Sequence, residues 1–366
     1  MSYEARPGMR VEELDTPALI VDLDILERNI SQMADFFAER RAALRPHIKT
    51  HKTPAIAHMQ LKAGAIGITC AKVGEAEIIA EAGIRDILIA NQVVGQVKID
   101  RLTDLARHAD VMVAVDDARN VTDLSQAASA KGVIVRTLIE IDIGMNRCGV
   151  PAGEPALELA RCVASSPGLR LAGLMGYEGH LVLVSDYEER RREVWAALKP
   201  LTDTADLLRR HGLSVDIVSG GGTGTYDITG SCPTMTEVQA GSYVFMDTTY
   251  RAVRPEFDVS LALLTTVISR PQPAYIVTDA GLKALSKEFG LPKLANIPGA
   301  DVRYLSEEHG VIDLAEPGAV DLRPGDKVSL VPSHCCTTVN LHDKLYAVRK
   351  DIVEGIWPIA ARGKCQ

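Results

Sequence analysis

The chain has 366 residues, of which 46% are hydrophobic and only 4% aromatic, so its length suits one large domain plus a smaller one with an aliphatic core. The net charge of −8 and the dispersed basic residues exclude a nucleic-acid or polyanion partner, because phosphate binding needs a concentrated Lys/Arg face. No apolar run reaches the roughly 18 residues of a membrane span. The start, Met1-Ser2-Tyr3-Glu4-Ala5-Arg6, has no apolar signal core, and seven cysteines without framework spacing indicate a reduced, cytoplasmic protein.

In chain order, the first two-thirds repeats one theme: a short apolar strand, a turn and an amphipathic helix. Strands are predicted over residues 44–49, 67–71, 86–91, 111–115, 135–142, 171–177, 216–220 and 237–245. Helices are predicted over residues 74–82, 94–108, 118–130, 154–165 and 186–210, with Asp117 and Ser185 as N-caps and Gly83, Gly132 and Gly212 as stops. This alternation predicts an α/β fold, a (β/α)8 TIM barrel, over residues 14–255. A doubly wound open sheet is the competing arrangement. The barrel is favoured because polar clusters follow every strand: Lys49, Lys72, Asn91-Gln92, Asp116, Asp142 with Arg147, Tyr177 with His180, the Gly220 run, and Tyr243 with Asp247. Barrel active sites are built at these strand ends.

After about residue 255 helical periodicity disappears. Short β-rich runs at residues 261–268, 275–278, 327–331 and 345–349 are separated by turn signals such as Arg323-Pro324-Gly325-Asp326. Residues 256–366, with residues 1–13, are expected to form a C-terminal β-rich domain, to which the extended segment 18–21 is a candidate extra strand.

Three features carry chemistry. In Arg45-Pro46-His47-Ile48-Lys49-Thr50-His51-Lys52, two histidines and two lysines crowd one strand end. A lysine desolvated there has the lowered amine pKa that condensation with an aldehyde requires, although a solvated basic loop has the same composition. In Ser219-Gly220-Gly221-Gly222-Thr223-Gly224-Thr225, consecutive glycines let backbone N–H groups converge on an anion. Their spacing is wrong for a P-loop or a dinucleotide fingerprint, and no Lys follows, so a single cofactor phosphate fits better than a triphosphate. In His334-Cys335-Cys336, His334 and Cys336 are two apart on an expected β run and so share a face. Imidazole and thiolate suit zinc, while a satisfied His beside buried core thiols is the competing reading. His309, His342 and Asp343 are further polar candidates.

Together these features resemble the D-threonine aldolase and D-serine dehydratase family, pyridoxal-phosphate (PLP) enzymes with an alanine racemase-like barrel. The resemblance also runs through Asp15-Thr16-Pro17-Ala18-Leu19-Ile20-Val21-Asp22-Leu23, Asn146-Arg147-Cys148-Gly149-Val150, Glu237-Val238-Gln239-Ala240-Gly241-Ser242-Tyr243, Glu308-His309-Gly310, Pro332-Ser333-His334 and Ala360-Ala361-Arg362-Gly363. It implies that Lys49 forms the Schiff base. Gly222, Thr223 and Gly224 would bind the phosphate with Tyr243 beside it, and Arg147 and Tyr177 would line the ring. His334 and Cys336 would hold a divalent metal near the substrate hydroxyl. His51 or His180 would be the base on that hydroxyl, and a homodimer is expected.

Two family chemistries compete, retro-aldol cleavage of a β-hydroxy-D-amino acid and dehydration of D-serine or 3-hydroxyaspartate. Gly176-Tyr177-Glu178-Gly179-His180 and Asn340-Leu341-His342-Asp343 are similar to the aldolases. Cys336 departs from them, since they carry Asp there and the dehydratases Cys; a thiolate favours zinc over manganese or magnesium. Ala71 is a second departure, where related aldolases often have Gln. The expected activity is a D-threonine-type aldolase. A racemase, with a second acid/base among Tyr250, Tyr275, Tyr304 and Tyr346, and a non-catalytic PLP-carrying barrel are the other readings.

Overall fold

The structure, a computed structural model, describes residues 3–295, 297–315 and 321–366. The chain divides into two compact units. One comprises Ser31–Lys49, Pro54–Gly241 and Gly363–Gln366, and the other Met1–Ile30, Thr50–Thr53 and Ser242–Arg362.

The first unit is built on eight parallel strands. Around the sheet they run Ala43–Leu44, Glu237–Val238, Ile217–Gly220, Leu169–Gly176, Val135–Glu140, Asp110–Val115, Asp86–Gln92 and Ile68–Cys70. A parallel bridge between His47 and Thr69 joins the last to the first, with the Thr69 N–H donating to the Pro46 carbonyl at 2.9 Å. That closure makes a barrel of the sheet and rules out the open alternative. The interior is filled by side chains from neighbouring strands, Leu88, Met112, Ala114, Leu138, Ala172 and Met175. Met112 and Ala114, two apart, share one face of their strand, so the barrel is a packed core and not a pore.

Local sequence accounts for the helices between strands. Asp117 caps Ala118–Lys131 by accepting from the N–H groups of Arg119 and Asn120, and Gly132 ends it in the left-handed region at φ +64°. Asp186, one residue beyond the expected Ser185, caps Tyr187–Arg210 by accepting from Glu189 N–H. Helices at Leu23–Ala38 and Pro54–Lys62 were not expected from the sequence. The first and last barrel strands are shorter than expected: Ala43–Leu44 stops five residues before Lys49, and Glu237–Val238 gives way to a 3-10 turn at Ser242–Val244. Arg45, 2% exposed, leaves the first strand with its guanidinium 2.9 Å from Glu237 and 2.9 Å from Asp86.

In the second unit, six antiparallel strands form a closed ring. They are Leu261–Gln272, Tyr275–Thr278, Gly310–Leu314, Ala300–Leu305, Lys293–Leu294 and Lys327–Val331, the last returning to Leu261–Gln272. Ala18–Asp22 adds to the outer side of Leu261–Gln272 in antiparallel register and to Lys344–Arg349 in parallel register, and Ile352–Pro358 completes that extension. The N-terminal segment is therefore a strand of this sheet. Lys327–Val331 alternates buried and half-buried positions, as a strand with one core face must. Leu14, Ala18, Leu264, Tyr346, Val348 and Val353 make one of its apolar clusters.

Candidate active site

Lys49 sits in a 3-10 turn, Ile48–Thr50, and not on the strand itself. Its side chain is exposed while Ile48 and Thr50 on either side are fully buried, so the backbone that carries the amine is held rigidly. The Lys49 N–H faces Nδ1 of His47 at 3.4 Å.

Within the barrel unit the ring of Tyr177 gathers three of the expected residues. Lys49 Nζ lies 6.0 Å from the ring centroid and the Arg147 guanidinium 5.8 Å. A Cβ placed on Gly222 would meet the same ring at 3.3 Å. Arg147 belongs to a turn that acidic side chains shape: Asp142 accepts from the N–H groups of Gly144 and Asn146, and Asp116 from that of Gly149. Glu140, at the end of the strand Val135–Glu140, is buried and accepts from Gln92. Burial pushes its carboxyl pKa up, against the opposing pull of Gln92 and Arg147.

The glycine run follows Ile217–Gly220 as expected and is buried throughout. Gly221 has φ +74°, a left-handed conformation that a side chain would strain, and its Cβ would lie 2.9 Å from Val238. The loop is braced from below. Gly222 N–H donates to Thr225 Oγ1 at 3.2 Å, and Thr225 Oγ1 donates to Glu178 Oε1 at 2.7 Å. Thr229 donates to the same oxygen. Glu178 is fully buried, and its other oxygen, Oε2, has no partner. Glu178 lies within the motif Gly176-Tyr177-Glu178-Gly179-His180, and nothing local in the sequence marks this glutamate as buried. His180 is exposed, its ring packed 3.1 Å from where a Gly144 Cβ would stand.

Two expected residues fall in the second unit. His51 is fully buried, its Nδ1 accepting from Thr53 N–H at 3.1 Å and its ring 6.4 Å from Phe245. Tyr243 is fully buried with its ring 6.0 Å from Phe257.

The second unit also holds the His-Cys-Cys run. Here the local expectation needs correcting: His334 is extended at φ −142°, but Cys335–Val339 is a short helix and not a β run. The ligand atoms of His334, Cys335 and Cys336 still lie within 4.8 Å of one another, the one such cluster among the described residues. Thr50 Oγ1 is 3.3 Å from Cys336 Sγ. Asp247, in sequence only a polar residue after the last expected barrel strand, bonds Nδ1 of His334 at 3.1 Å. Burial draws the His334 pKa down, but bonds to Asp247 and Cys336 outweigh it and raise the pKa to about 10. Burial and the neighbouring Cys336 thiol push Cys335 well above the ordinary thiol value. The other polar candidates do not join the cluster. His342 donates to the Ala284 carbonyl at 2.8 Å, Asp343 pairs with Arg362 at 3.3 Å, and His309 is exposed.

The residues fit both groups that the resemblance implies. An amine on a rigid turn, a cation and a glycine cradle open toward one aromatic ring suit a phosphorylated aromatic aldehyde. One imidazole and one half-buried thiol suit a borderline-soft divalent ion.

Comparison with known proteins agrees with this geometry. Residues 21–249 match the family described as alanine racemase, N-terminal domain, and residues 260–348 the putative serine dehydratase domain. A D-threonine aldolase of Arthrobacter sp is 42% identical, over 98% of this chain and 96% of that one. A 3-hydroxy-D-aspartate aldolase of Paracoccus denitrificans (strain Pd 1222) is 40% identical, over 98% and 95%. Among solved structures, a D-threonine aldolase from Filomicrobium marinum superposes with a TM-score of 0.97 at 41% identity, covering 99% of this chain and all of that one. The barrel closed behind Lys49, the cradle beside Tyr177 and these full-length matches agree that the chain belongs to the D-threonine aldolase and D-serine dehydratase family of alanine racemase-like, PLP-dependent lyases.

Proposed function

We propose that the protein cleaves β-hydroxy-D-amino acids between Cα and Cβ, releasing glycine and an aldehyde, with D-threonine as the type substrate and a divalent metal, zinc in preference to manganese or magnesium, at His334 and Cys336. The observation that carries this reading is the convergence of Lys49, Arg147 and Gly222 on Tyr177, in a chain matched end to end by aldolases.

When bound, PLP supplies an aldehyde for an amine and a ring that takes up the electron pair left on Cα. Lys49 presents its amine from a turn flanked by the buried Ile48 and Thr50, and this amine would hold the aldehyde when PLP is bound. The backbone at Gly222, Thr223 and Gly224 would cradle the phosphate, with Thr223 and Gly224 rather than Gly222, whose N–H already bonds Thr225, offering N–H donors, and Arg147 would set a positive charge beside the ring. Tyr177, with Lys49, Arg147 and Gly222 around its ring, would line the cofactor. At His334 and Cys336 a metal would act as a Lewis acid on the β-oxygen. The β-hydroxyl proton must leave as the Cα–Cβ bond breaks, and the electron pair stays with Cα until a proton reaches it. Exposed His180 suits the base role better than His51, whose Nδ1 is already engaged in a fully buried site. Tyr243 beside the phosphate, a homodimer and a cytoplasmic location complete the reading; seven cysteines without the spacing of a disulfide framework support the last.

The purified protein, supplied with PLP and zinc, is incubated with D-threonine, D-3-hydroxyaspartate and D-serine. Glycine with acetaldehyde or glyoxylate supports the aldolase. Cys336 favours a second reading, dehydration; ammonia with pyruvate from D-serine, and no glycine from any substrate, would replace the first reading by the second.

A further inference from the structure

We infer that Asp247 is the positioning residue of the metal site: it turns Nε2 of His334 toward the ion and holds Cys335 aside, so that only His334 and Cys336 of three consecutive potential ligands bind. The inference rests on the proposed metal site and adds to it a residue 87 positions upstream.

Asp247 is 0% exposed, and a carboxylate in that position is tolerated only when its oxygens are satisfied. Four N–H groups satisfy it, divided between its two oxygens. Oδ1 accepts from Thr249 N–H at 3.1 Å and Tyr250 N–H at 2.8 Å, capping the helix Thr248–Val253. Oδ2 accepts from His334 Nδ1 at 3.1 Å and Cys335 N–H at 3.0 Å. The capping half anchors the carboxylate to the backbone, so the other half is fixed in place and orientation.

Two consequences follow at the His-Cys-Cys run. With its proton committed at Nδ1, neutral His334 carries its lone pair on Nε2, and the carboxylate behind the ring raises that nitrogen's basicity. Cys335, whose N–H is tied to Asp247, is 0% exposed, while Cys336 is half-buried beside Thr50 and Ser242. Successive side chains at the start of a helix point about 100° apart. Tying the first through its N–H keeps its thiol on the buried side and leaves the second as the less buried of the two.

Asp247→Asn tests the division of labour. An asparagine still offers one oxygen. If that oxygen stays on the helix N–H groups, the amide nitrogen meets the N–H groups of His334 and Cys335; if it turns, the cap is lost. Protein reconstituted with PLP and stripped of metal is titrated with Zn2+ against a chromophoric chelator, and separately with Co2+ to follow thiolate-to-metal absorption. Expected are zinc binding about 10- to 100-fold weaker in Asp247→Asn, unchanged zinc binding in Cys335→Ala, and loss of the thiolate–cobalt band in Cys336→Ser. Wild-type zinc affinity in Asp247→Asn, or a loss in Cys335→Ala equal to that in Cys336→Ser, overturns the inference. A readout without variants is 15N NMR of His334 in the zinc-loaded wild type: a metal on Nε2 and a proton on Nδ1 support it, and the reverse refutes it. Unchanged zinc affinity in both His334→Ala and Cys336→Ser would instead remove the metal site itself.

Discussion

Glu178→Ala is expected to loosen the phosphate loop from below. In the wild type, Thr225 and Thr229 both donate to Glu178 Oε1, and Thr225 in turn accepts from the Gly222 N–H. All three side chains are fully buried, so water does not replace the lost acceptor. Each stranded buried hydroxyl costs about 1–3 kcal/mol, roughly 2–6 kcal/mol for the pair. Against that stands the relief of Oε2, which already lacks a partner, also about 1–3 kcal/mol. The net is about 1–3 kcal/mol, centred on roughly 2 kcal/mol, and if all of it fell on cofactor binding the affinity for PLP would drop on the order of 30-fold. Glu178→Gln keeps the acceptor oxygen and should stay within about tenfold of the wild type. Spectrophotometric titration of the apoprotein with PLP, alongside urea unfolding, measures both effects. Wild-type PLP affinity and stability in Glu178→Ala would refute the role of this brace.

Other expectations follow from the same geometry. With a folded pKa of about 10 against an ordinary 6.5, His334 in the metal-free protein contributes stability that is fully present below 6.5 and lost as pH rises through about 10. Zinc must displace that proton, so its apparent affinity should rise by about tenfold or more per pH unit from pH 7 to 9, as measured by chelator competition. Cys336→Asp should shift the activating metal from zinc toward manganese, read as the ratio of activities after metal stripping and reloading. Glu237→Ala leaves Arg45 buried with Asp86 alone and should cost about 3 kcal/mol in urea unfolding, with the cofactor spectrum of the folded protein unchanged.

Much of this architecture was readable because its signals are local. Strand-ending polar residues, the cap at Asp117 and the stop at Gly132 each act within a few residues, and so the eight barrel strands could be placed. The chemistry of Lys49 and of the glycine run was legible for the same reason. What could not be read depends on distant partners. Nothing near Asp247 announces that it will bond His334, and nothing near Glu178 announces two threonines 47 and 51 residues away. His334 and Cys336 were expected on a strand because Pro332 and the preceding apolar run favour extended chain; the run ends where Cys335 begins a helix.

The strand Ala18–Asp22 lies between Leu261–Gln272 and Lys344–Arg349, and this sets a timetable for synthesis. It leaves the ribosome among the first elements, but its parallel neighbour begins only at Lys344. At about 5–20 residues per second, that partner follows roughly 16–64 seconds later. Throughout that interval the segment carries unpaired backbone and an apolar face, which makes it the natural handle for a chaperone and the part of the chain most exposed to mispairing with a second nascent copy.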